Sequence, residues 1–283
     1  MRDDFAIFIL THGRADTMLT YNTLQKCGNT NRIYFICDNE DSQLDLYKSK
    51  FGKENVIVFD KLKKSKTCDT MDRVDNRNIV LFARNSCFEI AKKLGLTYFL
   101  ELDDDYAEFR SRQWNGESLK SVYCGDFDAV VDVTLEFLEV SGAVTVAFGQ
   151  TGDFLGGKDC TLYREKLLRK AMNSFFCKVD RPFEFYGRIN EDVNAYVSLG
   201  SRGKLFFTIC DMSLDQPGTQ QNKGGLTDAY LQLGTYVKSF YTVMGNPSCV
   251  KISEMGCNHK RIHHLVNWNY AVPKIISSAF QKK

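Results

Sequence analysis

Three adjacent aspartates, Asp103, Asp104 and Asp105, follow the short apolar run YFLEL. Carboxylates this close repel one another, so they persist where a divalent cation bridges them or where water solvates them. In an extended chain alternate side chains share a side. Asp103 and Asp105 can therefore offer oxygens to one Mg2+ or Mn2+ ion, which in turn can grip a diphosphate. An isolated acidic triplet serves as readily as a solvated turn or a helix cap. A second acidic group, Asn190, Glu191 and Asp192, has an equally plain structural use. An Asn N-cap followed by first-turn acids stabilises a helix by about 0.3–1 kcal/mol through its dipole. Near the chain end stand His263 and His264. On a strand only one of the pair faces inward, and His264 shares its face with Ile262 and Val266, so His264 is expected to be the buried one. His259 and His263 have i, i+4 spacing, but no third ligand stands nearby for zinc.

These groups need elements to hold them. Apolar runs of strand length occur at Phe5 to Leu10, Arg32 to Cys37, Asn55 to Phe59 and Thr97 to Leu102. Helical patterns lie between them, near Met18 to Cys27, Ser42 to Lys50 and Asn76 to Leu94, the last with apolar residues at helical spacing. Alternation of this kind predicts an α/β fold with a mainly parallel sheet and helices on both faces. Ligands of such sheets gather beyond the carboxyl ends of the strands. His12, Gly13 and Arg14 follow the first strand, Asp38 and Asn39 the second, Asp60 the third and the acidic triplet the fourth.

The second half is less regular. It offers a helix near Asp128 to Val140, a strand at Ala143 to Phe148, a helix opening near Asn190, and strands at Lys204 to Cys210, Val250 to Met255 and Arg261 to Val266. Two long loops are expected, Tyr106 to Gly125 with Arg110, Arg112, Trp114 and Lys120, and the stretch SLDQPGTQQNKGGLTD. Loops this long serve as lids or binding loops. Trp114 beside two arginines, and Trp268 beside Tyr270, could stack on a base or a sugar, or pack in the core. Lys61, Lys63, Lys64 and Lys66 suit a solvated loop or a phosphate contact.

Of 283 residues 43% are hydrophobic and 25% charged, which excludes disordered, collagen-like and coiled-coil classes. Lys and Arg total 37 against 35 acidic residues, a net charge of +2. A protein that coats nucleic acid needs far more, so any such contact must be a local patch. The ten cysteines stand singly, without a CxxC pair, as reduced core thiols do. The first apolar run is too short for a signal sequence or a membrane span, so a cytoplasmic protein without membrane contact is expected.

The run ARNSCFEIAKKLGLTYFLELDDD resembles the stretch of GT-A glycosyltransferases that reads Ala-Arg-Asn, a helix, a Gly, an aliphatic strand and Asp-x-Asp. That resemblance implies a Rossmann-like GT-A sheet in one composite domain over 1–283. Residues 1–105 would bind the nucleotide sugar and 106–283 the acceptor. It further implies a Mn2+ or Mg2+ ion on Asp103 and Asp105, with His264 as a further ligand, and a donor pocket formed by Thr11, His12, Gly13, Arg14, Asp38, Arg84, Asn85, Asp103 and Asp104. For Arg84 the plain alternative is a surface ion pair. A second stretch, from Gly156 and Gly157 through Leu162, Tyr163 and Arg164 to Gly187, Arg188, Ile189, Asn190, Glu191 and Asp192, looks like the acceptor half of that family. There a carboxylate, Glu191 or Asp192, would accept the acceptor's proton, a role needed because a hydroxyl is a poor nucleophile until a base receives it. Gly156, Gly157, Trp114 and Trp268 would contact the acceptor.

Across nearly the whole chain THGRAD, FARN, LELDDD, INED and HHLVNWNYAVPKII most resemble the TET-associated glycosyltransferases of bacteriophages. What this implies is transfer from a UDP-sugar to a hydroxymethylated pyrimidine, 5-hydroxymethylcytosine or 5-hydroxymethyluracil, in phage DNA. Three other readings use the same residues: a GT-A enzyme with a polysaccharide or protein acceptor, a metal-dependent nuclease or nucleotidyltransferase, and a non-catalytic DNA-binding protein.

Overall fold

The structure, a computed structural model, describes residues 2–151, 159–160, 171, 173–216, 234, 236–255 and 260–272. Its parallel strands are built around β1 (Phe5–Leu10), an apolar run buried at every position. On one side of it lies β2 (Ile33–Asp38) and on the other β4 (Tyr98–Asp103), both parallel to it, and β3 (Val56–Phe59) continues the parallel series beyond β2. Leu10 is level with both Ile36 and Asp103, so the carboxyl ends of these strands form one edge. The crossovers are α1 (Leu19–Lys26), α2 (Leu44–Phe51), the short α3 (Lys61–Ser65) and α4 (Leu81–Lys93).

The second half adds β5 (Glu108–Trp114), β6 (Leu119–Tyr123), α5 (Phe127–Ser141), β7 (Thr145–Gln150), β8 (Ser174–Lys178), α6 (Glu191–Ser201) and β9 (Phe206–Asp215). Its strands join the same sheet, in the order β3-β2-β1-β4-β8-β7-β9-β5-β6. β8 enters antiparallel to β4 and β7, whereas β7 and β9 are parallel. Alternate residues of β1 feed two apolar layers. Phe5, Ile7 and Ile9 pack with Leu24 of α1 and Val131 and Leu135 of α5, while Ala6, Phe8 and Leu10 pack with Phe82 and Ile90 of α4 and Val193 and Val197 of α6. The expected α/β layering is therefore present, with helices on both faces. Beyond the sheet lie α7 (Val237–Gly245), the antiparallel pair β10 (Val250–Met255) and β11 (Arg261–Val266), and α8 (Trp268–Ala271).

Three local expectations are corrected. Residues Tyr106 to Gly125 are not a loop; most form the β5–β6 hairpin, turning where Asn115 Oδ1 accepts from Glu117 N and Ser118 N. α4 starts at Leu81 rather than Asn76, because Asn76 Oδ1 accepts from Asn78 N in a turn. Lys61 is not solvated: Asp60 caps α3, and Lys61 is buried against Asp38 and Asn78 at 3.1 and 3.2 Å. Of the other expected loop, Ser213 to Asp215 end β9, and residues 217–228 lie outside the described residues.

The irregular segment before α4 is held by Arg188. Its guanidinium forks onto Asp72 at 2.7 and 2.9 Å and donates to the carbonyls of Val74 and Asn76, and Tyr241 OH also donates to Asp72. Burial alone would raise the Asp72 carboxyl, but Arg188, Tyr241 and the Val74 amide hold it below the usual range. Removing one partner of a buried pair strands the other, so Arg188→Met is expected to lower stability by about 3–5 kcal/mol, read as a denaturation midpoint. Because the Asp72 pKa is depressed on folding, this contribution is complete above the unfolded Asp value and is lost as pH falls through the folded one.

Candidate active site

β4 ends at Asp103 and the chain turns at Asp104 and Asp105, so the extended geometry expected for Asp103 and Asp105 stops at the first of them. The turn is held from α1, where Thr20 Oγ1 donates to the Asp103 carbonyl at 2.6 Å and Thr23 Oγ1 to the Tyr106 carbonyl at 3.0 Å. Asp104 is buried. Thr11 Oγ1 donates to one of its oxygens at 2.8 Å and Arg14 Nη1 to the other at 2.7 Å, binding the turn to the end of β1. Burial outweighs these donors and raises its pKa. Tyr47 OH fixes the same corner, 2.9 Å from Thr11 Oγ1, and accepts from Arg14 N. Asp105 accepts from Gln216 Nε2 at 3.1 Å, and burial together with Asp103 and Asp104 pushes its pKa up to about 6.

Arg84 joins this turn to the second acidic group. Its Nη2 donates to Asp103 at 2.8 Å, Nη1 to Glu101 at 2.7 Å and Nε to Glu191 at 2.9 Å. The guanidinium is fully buried, with the rings of Phe175 and Phe185 at 5.8 and 5.6 Å. The surface ion pair considered from sequence is thus excluded. Burial opposes the charge of Arg84, but Asp103, Glu191 and Glu101 together outweigh it and raise its pKa. Burial raises Glu101 and Glu191 to about 7 each despite Arg84, with Asp192 adding to the rise at Glu191. Asn85, next in α4, exchanges two hydrogen bonds with the Phe185 backbone, at 2.8 and 2.9 Å, and so fixes the segment that leads to Glu191.

That segment enters α6 through Gly187, whose φ is +90° and whose added Cβ would collide with Asn194 Nδ2. Asn190 does not cap α6 with its side chain, contrary to the plain reading of Asn-Glu-Asp. It takes a left-handed conformation, and its Nδ2 donates to Lys238 O and Thr242 Oγ1 at 2.9 Å. Glu191 is buried, while Asp192 beside it is half-buried. His264 Nδ1 lies 3.4 Å from Asn190 Nδ2, and its ring stacks on that of His263, which is equally half-buried. On its face Ile262 is exposed, contrary to expectation.

At the neighbouring strand ends His12 Nδ1 donates to Asp38 at 2.7 Å, and Asp41 accepts from Gly13 N at 2.8 Å. Burial would raise Asp38, but His12 and Lys61 hold it below the usual carboxylate range. Beside them is a polar depression of about 640 Å³ lined by Glu40, Asp75, Arg77 and Asn78. Of the expected acceptor contacts, Trp268 stacks on Tyr196 of α6 at 5.9 Å, whereas Trp114 is 53% exposed on the hairpin. Gly156, Gly157, Leu162, Tyr163, Arg164 and His259 lie outside the described residues.

Six carboxylates, of Glu101, Asp103, Asp104, Asp105, Glu191 and Asp192, meet two guanidiniums, of Arg14 and Arg84. This negative excess and its hard oxygen donors fit a divalent cation. Among the described residues no three His, Cys, Asp or Glu side chains form a metal-binding group, and His264 lies against Asn190. Two carboxylates suffice for Mg2+ where substrate phosphates complete the shell. Glu101, Asn173 (3.1 Å from Asp103) and Tyr47 are the site residues that sequence reasoning missed. A signal existed for one of them, since Glu101 is a lone charge inside an apolar strand.

No curated protein matches the sequence. Among solved structures the chain is similar to glucosyl-3-phosphoglycerate synthase from Mycobacterium tuberculosis, solved with Mn2+, uridine-diphosphate and phosphoglyceric acid. Identity is 9%, over 93% of this chain and 86% of that one, with a TM-score of 0.48. Mannosyl-3-phosphoglycerate synthase from Rubrobacter xylanophilus is similar at 10% identity, over 93% and 86%, with a TM-score of 0.44. The family model of TET-associated glycosyltransferases matches residues 5–225, the span from β1 through both acidic groups, and the chain belongs to that family.

Proposed function

We propose that this glycosyltransferase moves a sugar from a UDP-sugar to a hydroxymethylated pyrimidine in DNA, with a divalent metal at the Asp103–Asp105 turn. The observation that carries the reading is Arg84, which bonds Asp103 and Glu191 at once and so makes a single site of the two acidic groups. Asp103 and Asp105 would hold Mn2+ or Mg2+, which when bound neutralises charge on the departing diphosphate. Thr11, His12, Gly13, Arg14 and Asp38 line the strand ends where the donor's nucleoside would lie.

Asp192 suits the base. Glu191 is buried and committed to Arg84, whereas Asp192 stands half-buried on the first turn of α6. The oxygen of the acceptor's hydroxymethyl group attacks the anomeric carbon, its proton passes to Asp192, and UDP leaves with the electron pair of the broken C–O bond. Gly156 and Gly157 remain candidate acceptor contacts, and His264 a candidate ligand.

The test is incubation of the protein with Mn2+, UDP-sugars and hydroxymethylated DNA, followed by mass spectrometry of the nucleosides. A hexose-modified base is expected. UDP release with unmodified DNA would remove the DNA acceptor. Asp105→Asn is expected to lose at least tenfold in transfer at limiting Mn2+, with the melting temperature retained. Unchanged Mn2+ dependence would count against Asp105 as a ligand.

A further inference from the structure

The β5–β6 hairpin leaves the acidic turn within three residues of Asp105 and ends the sheet, β6 being its outermost strand. Its two faces differ. Phe109 points into the core, 5.0 Å from the ring of Phe127, and the alternate positions Arg110, Arg112 and Trp114 lie on the other face. Tyr123 is paired with Arg110 across the hairpin and shares that face. The Arg110 guanidinium lies 4.3 Å over the Tyr123 ring and is fixed by Glu108 at 2.5 Å, which also accepts from Tyr123 OH at 3.0 Å. Trp114 and Tyr123 are 53% and 64% exposed. Arg112 Nη2 donates to the Thr151 carbonyl at 3.3 Å, and burial together with the charge of Arg110 depresses its pKa.

We infer that this face is a platform for the DNA acceptor strand, on which Trp114 and Tyr123 stack bases while Arg110 and Arg112 attract phosphates. The inference rests on the DNA acceptor proposed above. Alternating cations and rigid aromatic rings on a sheet face are the usual means of holding single-stranded nucleic acid. Length supports a polymer. At about 3.4 Å per residue the four steps from Arg110 to Trp114 reach roughly 14 Å. That spans about four nucleotides at a stacked spacing of about 3.4 Å each, more than a free nucleoside.

The test compares a 20-nucleotide strand and a trinucleotide, each with one 5-hydroxymethylcytosine. Trp114→Ala and Tyr123→Ala are each expected to raise KM for the 20-mer about tenfold, equal to about 1.4 kcal/mol, and KM for the trinucleotide by a smaller factor. Arg112→Gln is expected to flatten the dependence of 20-mer binding on salt by about one counterion. Acceptor-free UDP release by Tyr123→Ala should equal wild type, which shows an intact donor site. If wild type modifies the 20-mer and both aromatic variants keep its KM, the platform is overturned while the acceptor assignment stands. If wild type releases UDP but modifies neither oligonucleotide, or modifies only a polysaccharide, the acceptor assignment falls and the platform with it.

Discussion

Arg84→Met is expected to bring the protein close to unfolding, with a loss of at least about 3–5 kcal/mol. The substitution keeps the bulk of the side chain and removes the cation that bonds Glu101, Asp103 and Glu191. Two of these carboxylates are almost wholly buried, so water cannot replace the guanidinium. Domains are stable by only about 5–15 kcal/mol, so the loss takes a large part of the total. Arg84→Lys should rescue little, because a single ammonium cannot reproduce three bonds in a fixed fork. Adding Glu101→Gln and Glu191→Gln to Arg84→Met should restore part of the stability by removing the stranded charges. Denaturant midpoints decide the matter. A midpoint for Arg84→Met within about 0.5 kcal/mol of wild type, the range of ordinary surface changes, would show that the bonds are not formed in solution.

Asp192→Asn is expected to lower kcat for transfer by about 10²–10⁴, the contribution of a positioned base, with UDP-sugar KM and melting temperature retained. The amide keeps the size of the side chain and cannot accept the proton. Glu191→Gln should behave differently, since its partner is Arg84 and its loss disturbs both the fold and the placement of α6. A kcat retained in Asp192→Asn and abolished in a folded Glu191→Gln would reverse the assignment of the base.

How much of this was readable from sequence depends on whether an element announces itself by an apolar run. β1, β2 and β4 did, because strands buried on both faces are nearly all apolar. β5 did not: in EFRSRQW only Phe109 is buried, and the strand is recognised by its pairing with β9 and β6. The acidic turn was legible as chemistry but not as geometry, since the strand stops at the first aspartate, two residues before the end of an extended Asp-x-Asp. Arg84 carried an unused signal. It lies on the helix stripe of Leu81, Cys87 and Ala91, all buried, and a charge on such a stripe must find buried partners. Asn190 misled because its type suits a cap, and only the contacts of α7 show that its amide is used elsewhere.

Among the described residues β6 has no strand on its outer side, and this has a further consequence. A terminal strand carries unpaired amides and carbonyls that invite a second copy to zip alongside, the first step toward aggregation. Lys120, exposed near the start of that strand, is a charge that such pairing would have to accommodate. The same cation that keeps copies apart is no obstacle to a polyanion.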